Sequence, residues 1–107
     1  MRAGAALAFC AGLLAGAPGL AADTGGQLAA DRGCTNCHGE PPRRGVPSFR
    51  ELVVRYAPYR GKLDAAAERK LVDRMHDGSL FSHVAAHERL SEEEAHLLVR
   101  WLVAGGG

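Results

Sequence analysis

A chain of 107 residues with 13 Lys and Arg against 12 Asp and Glu carries a formal charge of only +1. That balance, with no basic stripe interleaved with aromatics, excludes a general nucleic-acid binder. The length excludes a large self-sufficient core, so a domain this small is expected to draw stability from a bound group or a cross-link.

The N-terminus opens with Met1 and Arg2, continues as the apolar run AGAALAFCAGLLAGA and reaches PGLAAD, with small residues at Gly19 and Ala21. This order of charged, apolar and small-residue regions is that of a secretory signal peptide. The run is short of the roughly 20 apolar residues that span a bilayer. Residues 1–22 are therefore expected to be cleaved near Ala21 or Ala22, with a retained membrane anchor as the alternative, and residues 23–107 form one domain. Cleavage leaves no stable membrane insertion and delivers the domain to the periplasm. Cys10 leaves with the signal, and Phe9 before it is too large for a lipoprotein site. The remaining thiols, Cys34 and Cys37, are too close in sequence to staple distant elements, although export implies an oxidising compartment.

The segment DTGGQLAADRGC predicts a short first helix with Leu28 and Ala29 turned inward and Gly33 at its end. From Cys34 to Pro47 the density of Gly, Pro and Arg predicts an irregular loop. Ser48 is placed to cap a second helix with the apolar face Phe49, Leu52, Val53 and Tyr56, which Pro58 stops. AAAERKLVDRMHDG predicts a third helix with Ala67, Leu71, Val72 and Met75 on one face and Gly78 as its stop. SLFSHVAAHER has no period and reads as a loop. Ser91 and Glu94 form a capping box for the last helix, whose inward face is Ala95, Leu98, Val99 and Leu102. No strand alternation occurs, so the expected class is all-α. Two loops this long in so small a domain require something to pack upon.

CTNCH, from Cys34 to His38, supplies a candidate. Cys-x-x-Cys-His is the attachment signature of c-type haem. Two thiols one turn apart can each form a thioether to the porphyrin edge, and the adjacent imidazole reaches the iron. A redox-active disulfide of this spacing ordinarily follows a strand in a βαβ unit, and zinc needs a further ligand pair; neither context is present. The export signal agrees with haem, which is attached after export.

With these motifs the chain resembles the class I (monohaem) cytochromes c over most of residues 25–104. GGQLAADRGCTNCHG looks like the family's first helix and haem site, GVPSFREL like the following loop-to-helix passage, and LVDRMHDGS like the helix before the distal loop. LSEEEAHLLVRWLV is similar to the closing helix, which crosses the first. The resemblance implies three to five helices wrapped around one covalently bound haem c. It further implies that Cys34 and Cys37 form the thioethers and His38 is the proximal iron ligand. A carbonyl of Pro41 or Pro42 is then expected to orient the His38 ring.

The family usually supplies a methionine from the loop before the last helix, and here that loop has none. His83, flanked by Phe81 and Val84, is the expected distal ligand. His87 is second and expected to point away or bridge to Glu88 or Glu92. Met75, in phase with the helical core, is third, and an open iron fourth. His76 and His96 are expected to be ordinary hydrogen-bonded residues. Trp101 is expected beside the macrocycle or against the first helix, and Tyr56, Tyr59 and Arg60 are placed to meet a haem propionate.

The function expected is single-electron transfer between redox partner proteins, as a free carrier or as the electron-accepting subunit of an oxidoreductase, with His/His ligation and a lowered potential. The alternative is a haem-based gas-binding or sensor protein with a displaceable distal ligand. No catalytic residues are expected. The basic stretch Arg43, Arg44, Arg50, Arg55, Arg60 and Lys62, opposed only by Glu51, is a candidate docking region for an acidic partner.

Overall fold

Ser48 and Ser91 each begin a helix in the same way. The Ser48 hydroxyl accepts from Glu51 N–H at 3.2 Å while the Glu51 carboxylate accepts from Ser48 N–H at 3.0 Å. Ser91 and Glu94 repeat the exchange at 3.1 and 3.0 Å. Both reciprocal caps satisfy donors that a helix start otherwise leaves open.

The computed structural model describes residues 20–78 and 83–106, and the backbone alone for residues 20–23. The helices are α1 (Leu20–Asp31), α2 (Thr35–His38), α3 (Phe49–Tyr56), α4 (Ala65–Asp77), α5 (Ala85–Glu88) and α6 (Glu92–Ala104), with a 3₁₀ turn at Ala57–Tyr59. No strand occurs among the described residues, so the all-α expectation holds. The four longer helices are those expected from periodicity. The single turns α2 and α5 lie in stretches expected to be loops and take the count past five. The expected signal segment lies outside the described residues except at 20–22, where α1 begins. Among the described residues no helix is long and apolar enough to cross a membrane.

α6 is the centre of the core. Its Ala95, Leu98, Val99, Trp101, Leu102 and Val103 are buried together with Ala29 of α1, Leu71 and Val72 of α4, and Leu90. Each buried leucine or valine among them contributes roughly 1.5–3 kcal/mol of transfer free energy. Ion pairs at the rim fasten the same helices: Arg32 to Glu94 (2.7 Å), Arg69 to Glu92 (2.7 Å), and Arg100 to Glu68.

The other half is built differently. Neither α2, α3 nor α5 contains a fully buried residue. Phe49, Leu52, Val53 and Tyr56 of α3 only partly bury against the α6 core. The apolar face that the sequence supplies there is only half used by protein packing.

Candidate functional site

α1 ends where Gly33 takes the left-handed conformation (φ 71°), which turns the chain into α2. Cys34 N–H still donates to the Ala29 carbonyl (2.9 Å), and His38 N–H donates to the Cys34 carbonyl (2.9 Å). The cysteine-bearing turn is thus rooted on α1. Cys34 packs against the core, and both Cys34 and Cys37 are free, half-buried thiols. Burial pushes the Cys34 thiol pKa up, and the neighbouring Cys37 adds to the rise against a smaller opposing effect of a backbone hydrogen bond. Cys34 is therefore held as a thiol at neutral pH.

The His38 ring is fixed from behind. Its Nδ1–H donates to the Pro47 carbonyl at 2.6 Å, which leaves Nε2 for another partner. The expectation had been Pro41 or Pro42, and this is corrected by the path of the loop. Pro41 and Pro42 lie on the outgoing arm, where Arg43 N–H closes a turn onto the Cys37 carbonyl at 2.8 Å. The chain returns beside the imidazole only at Pro47, immediately before the buried Ser48 cap. Phe49, the first residue of α3, sets its ring 5.6 Å from the His38 ring and 5.4 Å edge-on from Trp101.

A second imidazole faces the first. The rings of His38 and His87 are 9° from parallel with centroids 6.1 Å apart. His87 is half-buried. Burial lowers its pKa, helped by the nearby His38 and His76 and opposed by a hydrogen bond with the Met75 backbone.

His83 is not brought to this place. Its side chain is 74% exposed and lies 3.1 Å from Glu88. The turn toward a carboxylate expected of His87 belongs to His83 instead. Met75 packs with its side chain partly buried against the core, as expected, and enters the site through its backbone. His76 bonds to the Leu90 carbonyl (3.0 Å), and His96 lies beside Glu68 and Glu92 at 3.6 and 3.8 Å. Trp101 packs on α1 rather than beyond it, where Gly25 and Gly26 admit the indole. Arg60 donates to the Val103 carbonyl (3.0 Å), and Tyr56 and Tyr59 pack partly against the core.

A bare ion needs three or more protein ligands, and among the described residues no such group of His, Cys, Asp and Glu converges. Two opposed imidazoles suit a metal that brings its other four ligands with it. The two ring centroids lie 6.1 Å apart, and two free thiols stand on the same turn as one of the rings. The residues fit a covalently held haem. The Pro47 carbonyl and the Met75 backbone contact, neither visible in any motif, are the supports that sequence reasoning missed.

No protein-family model matches the chain, and neither a curated protein nor a solved structure does.

Proposed function

We propose that the chain is an exported monohaem c-type cytochrome that carries single electrons between redox partners. Cys34 and Cys37 would hold one haem c as thioethers, and His38 would bind its iron. The reading rests on one observation above others: the CTNCH turn stands opposite a second, nearly parallel imidazole in the half of the molecule that has no core of its own.

The bound group supplies a one-electron iron couple; the chain tunes and shields it. The Pro47 carbonyl fixes the His38 ring and makes its free nitrogen a better donor. A second imidazole in place of methionine favours ferric iron and lowers the potential. The Phe49 ring, 5.6 Å from that of His38, screens one side of the site from water.

Charge directs the encounter with a partner. Arg43, Arg44, Arg50 and Arg55 form no ion pair among the described residues, whereas Arg32, Arg69 and Arg100 are all engaged on the α4–α6 side. Val54, 69% exposed, lies between Arg50 and Arg55 on α3. The partner surface that fits is acidic, with a small apolar centre. Such equipment serves a free carrier or the electron-accepting subunit of an oxidoreductase.

Export of the chain alongside a haem-attachment apparatus tests the reading. Haem should remain with the polypeptide through acid-acetone extraction and denaturing electrophoresis, and should be lost in the Cys34→Ala, Cys37→Ala double variant. A colourless wild-type chain overturns it. Rapid, complete carbon monoxide binding by the reduced wild type would favour gas binding over electron transfer.

A further inference from the structure

We infer that the second axial ligand of the iron is His87, not His83. The inference rests on the haem reading above and adds the identity of the distal residue, which no motif in the chain assigns.

Three observations converge on it. The half-buried His87 is the imidazole that stands beside His38, its ring 9° from parallel with the centroids 6.1 Å apart. The His38 ring is tethered to backbone through the Pro47 carbonyl at 2.6 Å. This is how ligating histidines are ordinarily oriented, with one nitrogen held by the protein and the other left for the metal. Finally, the competing imidazole is committed elsewhere: His83 is exposed and pairs with Glu88, one residue beyond His87.

The surrounding chain explains why α5 can present His87 inward. Val84 accepts from both His87 and Glu88 N–H groups (2.9 and 3.1 Å), which closes a single helical turn. Leu90, two residues past α5, is buried, and its carbonyl is held by His76 of α4. The short helix is therefore pinned at its C-terminal side to the same α4 turn whose Met75 backbone contacts the His87 ring. The Glu88–His83 pair is exposed to solvent.

The test compares His87→Ala and His83→Ala in the full exported haem protein. The ferric absorption and electron paramagnetic resonance spectra should remain low-spin in His83→Ala. In His87→Ala they should become high-spin or water-ligated, with carbon monoxide association to the reduced form accelerated ten-fold or more and low-spin character restored by added imidazole. Should His87→Ala fail to mature, His87→Met provides a second reading: a sulfur-to-iron band in the far red and a raised potential are expected. An unchanged spectrum in His87→Ala or His87→Met, or a high-spin spectrum in His83→Ala, overturns the assignment. A wild type with covalent low-spin haem and an unaffected His87 variant defeats this inference alone, whereas a wild type without covalent haem defeats the reading beneath it as well.

Discussion

Trp101 of α6 occupies the notch that Gly25 leaves in α1: a Cβ placed on Gly25 would fall 2.5 Å from Trp101 Cγ. The same indole meets Phe49 edge-on, and Phe49 in turn packs on His38. The crossing of the first and last helices therefore supports the position of the candidate site through two ring contacts.

Gly25→Ala should force the two helices apart. Overpacking of this kind costs about 1–3 kcal/mol, and in a domain of this size each 1 kcal/mol lowers the Tm by roughly 4–8 °C. Trp101→Ala should cost more, about 3–5 kcal/mol. Thermal unfolding followed by far-ultraviolet circular dichroism measures both. An unchanged Tm in Gly25→Ala would mean that the crossing is looser than described.

Glu68 gives the fold a dependence on acid. Its hydrogen bond to Arg100 holds the carboxyl pKa below the ordinary value, against some desolvation, and His96 assists. A depressed pKa means that the folded state binds the proton less readily than the unfolded one. The stabilisation is complete above the unfolded carboxylate value, about 4.3, and fades as pH falls through the lower folded value. Glu68→Gln should cost on the order of 1 kcal/mol at neutral pH and should flatten the loss of stability below about pH 5. Urea titrations across this range compare the two proteins; parallel curves would remove Glu68 from the account.

The thiol environment makes a separate prediction for the haem-free chain. Because burial raises its pKa, Cys34 should react with iodoacetamide more slowly than a free cysteine at pH 7, and its rate should keep rising in alkali beyond the range of an ordinary thiol. Peptide mapping after timed alkylation reads this directly. Fast labelling of Cys34 at neutral pH would contradict the described burial.

Charge reversal on α3 should show itself in encounter rates. The variant Arg50→Glu, Arg55→Glu should reduce an anionic oxidant such as ferricyanide several-fold more slowly than the wild type does, and a cationic oxidant faster. Both differences should shrink as salt shortens the Debye length below about 10 Å. Stopped-flow mixing at two ionic strengths measures the effect; equal rates for both reagents would disqualify this face.

Much of this arrangement can be read in the residues. Ser48 and Ser91 announce their helices because capping is local chemistry, and Leu71, Val72, Leu98 and Val99 are buried because their spacing leaves them one common face. CTNCH is legible for the same reason, since its thiols and imidazole share one turn. What was not legible depends on long-range docking. A four-residue helix such as α5 has no period to detect, so which of His83 and His87 stands beside His38 depends on where the Leu90 anchor holds the turn. The support from Pro47 rather than Pro41 or Pro42 follows from where a ten-residue excursion returns, which composition does not encode.

The most direct test of the central claim is the pyridine haemochrome spectrum of the purified, exported protein. The account predicts one haem per chain with the band positions of a macrocycle whose two vinyl groups are both saturated by thioethers to Cys34 and Cys37. A spectrum with two free vinyl groups, or no haemochrome at all, would contradict it.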